Sequence, residues 1–498
     1  MSLGSIAVYE VVRFAVISRF RRRFRATAIR FIRRNGIKLE QARFIDRAWM
    51  RERIASDPDV DREVLAAAEA TGEPISIIRD RVDEYIEEIA PYFSIAMYYR
   101  LGANMAKRLV NFCFELVEDP GGFEAQTAAI PDDAVRVYVI NHRSMADSVV
   151  LSYGLLNRIA LSYAVGEWAR IWPLNYLFRA FGSYFVRRGE KDPVYHKVLE
   201  RFLQLLAGHG GVTGFFIEGG LSRDGALRPP KLGLLDYLVK LRRDFPDRDI
   251  AFLPVGLNYD RVLEDRTLVA ERDGPVPKKW LVWRLLGVLG ILFWLPVLVF
   301  ANVVKVATRS HRKFGYAALA FGEPLLLSEW PGGAELHALD DGPRQQGIAA
   351  LADEILNQRI GSVIPATPVP VLAMALRRGA RTLPDMNQAV REVLAELREY
   401  NAPIALGAAF ADVIERRRAP GLPSMPGSTL DNQLLDHEEA ELLTSLALRG
   451  LRMRRIVRVR GDVVEVMKGE DPVLDYYANS IGHYWPDTSS VMTNSASK

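Results

Sequence analysis

Six short apolar runs that alternate with helical stretches constrain this chain more than any other feature. Between residues 120 and 360 they fall at Val135–Ile140, 161–165, 182–186, 212–217, 250–257 and Tyr316–Phe321. Helical patterns such as 195–207 and 232–243 lie between them. Runs this rich in Val, Ile, Leu and Phe predict strands covered on both faces. Strand–helix alternation then predicts an α/β fold: a mostly parallel sheet with helices on both faces. The flanks read differently. Residues 37–119 have helical periodicity, with Val82, Tyr85, Ile86, Ile89, Tyr92 and Phe93 at steps of three and four. The loop Asp119-Pro120-Gly121-Gly122 ends that stretch. Residues 361–486 return to helix at 369–376, 385–400 and 437–448, with one hairpin signal, 456–459 and 463–467 about Arg460-Gly461-Asp462. The Ser/Thr/Asn-rich tail 487–498 is predicted to be disordered.

The chain has 498 residues, too many for one ordinary core. Its balance of 49% apolar and 25% charged residues excludes wholesale disorder. A single cysteine, Cys113, excludes an internal disulfide and a Cys-based zinc cluster. With no His-Glu-x-x-His pattern either, no metal and no cofactor is called for.

Charge is concentrated at the start. Arg19, Arg21, Arg22, Arg23 and Arg25 interleave with Val11, Phe14, Ile17, Phe20, Phe24 and Phe31 at helical spacing. Residues 1–36 therefore predict a basic amphipathic helix on an anionic membrane surface. A solvated helix packed on the protein itself, or a nucleic-acid arm, competes with that reading. The arm has no interleaved aromatic stacking motif, so nucleic acid is not expected as a partner.

Within 280–306, the stretch 285–304 has twenty residues without a charge, enough to cross roughly 30 Å of hydrocarbon. A single crossing would separate the run Tyr316–Phe321 from the rest of its sheet. Pro296 also stands near the middle. A membrane-embedded or re-entrant segment is predicted, against a buried core helix pair.

Four strand ends carry candidate chemistry. The first is Asn141-His142-Arg143-Ser144-Met145-Ala146-Asp147, after the run Val135–Ile140. A loop at the carboxyl end of a parallel strand is where α/β sheets place function. Four residues between His142 and Asp147 allow a carboxylate to fix one imidazole nitrogen, leaving the other for proton transfer. The second is Gly182-Ser183-Tyr184-Phe185-Val186-Arg187-Arg188, which delivers two guanidiniums suited to a phosphate. The third is Phe215-Phe216-Ile217-Glu218-Gly219-Gly220-Leu221-Ser222-Arg223, continuing to Lys231. Its glycine pair lets backbone N–H groups approach an anion, and Arg223 and Lys231 add charge. The fourth, Phe252-Leu253-Pro254-Val255-Gly256-Leu257-Asn258-Tyr259, is a strand expected to pack the wall of the site.

In this order the four motifs resemble the glycerophospholipid acyltransferase superfamily, whose first motif is His-x4-Asp. More closely the chain resembles the bacterial membrane glycerol-3-phosphate acyltransferases of the PlsB type. The resemblance runs from Val137 to about Pro324, including Phe321-Gly322-Glu323-Pro324, and extends more weakly into the flanks. It implies His142 as general base and Asp147 as its orienting partner. It implies substrate binding by Arg143, Ser144, Arg187, Arg188, Glu218, Gly219, Gly220, Ser222, Arg223 and Lys231, with Pro254 in the acyl-donor wall.

The implied reaction moves a fatty acyl group from acyl-CoA or acyl carrier protein to the sn-1 hydroxyl of glycerol 3-phosphate. It would take place at the cytoplasmic side of the cell inner membrane. Two departures stand out. The family usually reads His-Arg-Ser-His-Met-Asp where Met145 and Ala146 stand here, and it usually carries Arg where Leu221 stands. The acceptor is therefore open between glycerol 3-phosphate, lysophosphatidate and dihydroxyacetone phosphate. A non-catalytic membrane lipid-binding protein is the remaining alternative.

Overall fold

The computed structural model describes residues 47–90, 103–118, 122–155, 158–159, 161–166, 183–187, 189–272, 313–411, 415 and 430–485. The arm 1–36, the apolar stretch 285–304, Arg188 and the tail 487–498 lie outside the described residues.

The predicted α/β sheet is present. Its strands are β1 (Glu115–Glu118), β2 (Val135–Ile140), β3 (Ser162–Val165), β4 (Tyr184–Phe185), β5 (Thr213–Phe216), β6 (Ile250–Tyr259), β7 (Tyr316–Phe321) and β8 (Leu325–Leu326). They lie in the order β1-β7-β6-β2-β5-β3-β4, with β8 also on β6. Most pairs are parallel, and β6 meets β7 and β8 antiparallel. The sheet is thus mostly parallel. β2 lies between β5 and β6, so its carboxyl end opens near the middle of the sheet.

Alternation within the strands explains the two covered faces. Tyr138 and Ile140 of β2 join Leu253, Val255, Leu257 and Tyr259 of β6 in one core cluster. Val137 and Val139 join Ile250 and Phe252 in another. Helices Asp147–Gly154, Pro368–Arg377 and Asp471–Gly482 supply the first cluster. Helices Gly233–Val239 and Asp341–Asp353 supply the second. A third cluster joins helices Arg47–Ala55, Pro58–Thr71 and Ile75–Ile89 to helix Pro193–Gly208 and Tyr184.

Two strands differ from expectation. Glu115–Glu118, at the end of a stretch read as helical, is an edge strand paired in parallel with Tyr316–Leu319. All four of its residues are half-buried, so it has no apolar signature, and pairing alone makes it a strand. β8 is a two-residue strand below the reach of periodicity. The hairpin is present as β9 (Val457–Arg460) and β10 (Val463–Val466).

Candidate active site

The loop after β2 is pinned before it turns. The Asn141 side chain donates to Leu257 O at 2.9 Å and accepts from Leu257 N at 2.8 Å, tying it to β6. The next residue, His142, donates its backbone N–H to Glu218 Oε1 at 2.8 Å. Its ring stacks on Phe216 with centroids 4.0 Å apart. Nδ1 lies 2.8 Å from Asp147 Oδ2. Among the described residues Nε2 has no hydrogen-bond partner, and His142 lines a cleft of about 540 Å³.

Asp147 opens helix Asp147–Gly154 and is fully buried. Its Oδ2 also accepts the backbone N–H of Arg143 at 2.7 Å and of Ser144 at 3.0 Å. Its Oδ1 accepts the Tyr259 hydroxyl at 2.6 Å. A carboxylate held by this many donors cannot rotate away from the imidazole. The turn that His-x4-Asp spacing allows is therefore closed by the carboxylate itself.

A second buried carboxylate sets the opposite loop. Glu218 accepts from His142 N through Oε1 and from Arg228 N at 2.9 Å through Oε2. Burial raises its pKa, and the Arg143 charge opposes that rise. Glu218 thus locks the loop after β5 to the loop after β2 and does not face the cleft.

Several residues assigned to substrate binding have structural roles instead. Arg143 is fully buried and donates to the carbonyls of Gly225, Ala226 and Ser480, so it cannot reach a ligand in the cleft. Ser222 is buried and donates to Ala226 O at 2.7 Å. Ser144 is buried and donates to Glu264 Oε2 at 2.8 Å. Arg187 is turned away from the cleft that the preceding residue, Val186, lines. It makes a bidentate pair with Glu88, at 2.9 and 2.7 Å, and a further bond to Glu190 at 2.9 Å. It also lies against the rings of Tyr85 and Tyr195. Neighbours on an extended chain face opposite ways, so only one of Val186 and Arg187 can face the cleft. Pro254 is buried within β6 and packs beneath Gly322, outside the cleft lining. Lys231 does not line the cleft either, although its stem lies over Gly219.

The structure does bring His142, Gly219, Gly220 and Arg223 to one cleft. Gly219 takes φ 64°, a left-handed turn that suits glycine. Arg223 is exposed and reaches Glu271 at 3.4 Å, a long and weak pair. Four contributors were not anticipated. Phe216 backs the imidazole, and Tyr259 holds Asp147. Arg228 and Glu264 line the cleft as a second cation and a half-buried acid whose pKa burial raises. Phe216 had a usable signal, because the last residue of a strand beside β2 must flank the loop after β2. Arg228 and Glu264 had none.

Comparison with known proteins finds acyltransferases. The family model described as Acyltransferase matches residues 125–258. The glycerol-3-phosphate acyltransferase of Aeromonas hydrophila subsp. hydrophila is 28% identical over 447 residues, covering 87% of this chain and 50% of that protein. Its counterpart in Xylella fastidiosa (strain M23) is 31% identical over 254 residues, 48% of this chain and 27% of its own. That of Pseudomonas fluorescens (strain Pf0-1) is 31% identical over 274 residues, 52% of this chain and 30% of its own. The chain spans about half the length, or less, of these curated relatives. A solved structure, the 1-acyl-sn-glycerophosphate acyltransferase PlsC of Thermotoga maritima, is 16% identical with a TM-score of 0.30, covering 52% of this chain and 80% of its own. Residues 125–258 thus match the Acyltransferase family model, and the sequence is similar to those of bacterial glycerol-3-phosphate acyltransferases.

Proposed function

We propose that the chain transfers a fatty acyl group from a thioester, acyl-CoA or acyl carrier protein, to the sn-1 hydroxyl of glycerol 3-phosphate. One observation carries the reading: the Nδ1 of His142 is fixed on a buried carboxylate at 2.8 Å while the ring lines an open cleft. Nε2 takes the proton of the acceptor hydroxyl as its oxygen attacks the thioester carbonyl. The tetrahedral intermediate collapses, the C–S bond breaks, and the thiolate leaves with the proton returned from Nε2. Asp147 holds the tautomer and offsets the imidazolium charge. Arg223 and Arg228 supply positive charge for the acceptor phosphate.

The cleft also holds Glu264 and Glu271, and Leu221 stands where the family usually has Arg. These features favour testing the acceptor directly. The decisive assay offers labelled palmitoyl-CoA with glycerol 3-phosphate, dihydroxyacetone phosphate or lysophosphatidate. Glycerol 3-phosphate should be acylated fastest, and His142→Ala should lower the rate by at least about a thousandfold. Unchanged transfer by His142→Ala would refute the mechanism, and no transfer by the wild type would leave a lipid-binding protein. The cytoplasmic face of the inner membrane is the site we assign to the reaction. The basic run within 1–36 and the uncharged stretch 285–304 support that placement.

A further inference from the structure

Helix Asp265–Arg272 separates two hollows. Thr267, Leu268 and Glu271, with Glu264 just before the helix, line the catalytic cleft at steps of three and four. Asp265 and Arg266 line a second hollow of about 460 Å³, and Thr267 touches both.

The second hollow gathers four cations, Arg261, Arg266, Lys313 and Arg454, around two acids, Asp260 and Asp265. Both acids are already engaged. Asp260 accepts the backbone N–H groups of Tyr316 and Val369, each at 2.8 Å, and burial pushes its pKa up to about 6. Asp265 accepts from Arg454 and from the Tyr477 hydroxyl. Arg266 is held by Glu470 at 3.0 Å.

Arg261 is not engaged in this way. It is half-buried, its guanidinium carbon lies 4.2 Å from the centre of the Phe314 ring, and no carboxylate among the described residues pairs with it. Burial lowers its pKa, as do the neighbouring charges of Arg454 and Arg266, while Tyr477 and Asp265 oppose that fall. A half-buried guanidinium that no carboxylate pairs is costly, and an anion in the hollow would relieve that cost. Its planar fork matches two oxygens of a phosphate.

We propose that this hollow is a second phosphate-binding site, with Arg261 as the fork and Lys313 as an added cation. The phosphate can belong to a lipid headgroup or to a soluble phosphate compound. The headgroup has one feature in its favour: Arg272 and Lys313 bracket, in sequence, the stretch that contains the twenty uncharged residues 285–304.

The test uses the full chain as wild type, Arg261→Gln, Lys313→Gln and Arg223→Gln, the last to report on the catalytic cleft. Binding of inorganic pyrophosphate is read by thermal shift. Binding to phosphatidylcholine vesicles with and without phosphatidylglycerol is read by co-sedimentation. Arg261→Gln without anion should melt at or above the wild-type temperature, because an unpaired charge is gone. It should weaken binding about tenfold in at least one arm, while Arg223→Gln leaves that residual site intact. Loss confined to phosphatidylglycerol vesicles assigns a lipid headgroup, and loss confined to pyrophosphate assigns a soluble phosphate. Should Arg261→Gln fold poorly, Lys313→Gln carries the comparison with the same expected loss. Wild-type binding by the folded variants in both arms overturns the proposal.

Discussion

At the scale of single residues, the site depends on how one carboxylate is held. Asp147 has no exposed atom, so every lone pair left without a donor carries a penalty. Three of its contacts come from its own loop, and the fourth, from Tyr259, comes from β6. Tyr259→Phe removes that donor and leaves the shape unchanged. The expected result is a loss of about 1–3 kcal/mol in stability and a fall of about tenfold in kcat. KM should hardly move, because Tyr259 does not line the cleft. Steady-state kinetics beside urea unfolding would show it, and a rise in KM with constant kcat would place Tyr259 in substrate binding instead. The His142–Asp147 pair was legible because both partners sit in one loop, and spacing alone brings them together. Tyr259 was not, since its role is created by pairing between strands far apart in the chain.

At the scale of elements, Arg143 shows why motif position misled. By sequence it sits beside His142, the proposed general base, and a cation there suggests an anionic substrate. Its burial comes from helix Asp471–Gly482, whose Ser480 carbonyl accepts from it, and from the turn at Gly225. Nothing local announces a helix more than three hundred residues away. Gly225 is the tight point of that contact. It has φ 84°, and a side chain there would run into the backbone of Tyr476. Gly225→Ala should therefore cost at least about 2 kcal/mol through strain and displacement of the helix. The cleft loops should loosen with it. A lower melting temperature with faster amide exchange in 218–228 and 471–482 is the outcome to look for. An Ala variant as stable as the wild type would show that the helix can give way freely. Most of the strands were legible because each lies in a mainly apolar run, and β1 was missed because its flanking glutamates, Glu115 and Glu118, leave only two apolar residues.

At the scale of the whole molecule, the question is whether the sheet can stand without the helices that follow it. The sequence changes character near residue 360, which suggests a division there, yet the packing runs across it. Every residue from Pro368 to Leu376 is buried, and this helix shares one core with Leu253, Leu257 and Tyr259 of β6. Burying Val369, Val371, Leu372, Met374 and Leu376 contributes roughly 1.5–3 kcal/mol each, together comparable with the roughly 5–15 kcal/mol by which whole domains are stable. Removing residues 361–498 would also strip Arg143 of the Ser480 carbonyl and Val262 N of the Tyr477 hydroxyl. A fragment ending at residue 360 should then lack a cooperative thermal transition and transferase activity. Adding 361–498 as a separate chain should restore both in part, since the missing contacts are packing and not connectivity. A fragment that melts cooperatively alone would mean the sheet's second face can be covered without these helices.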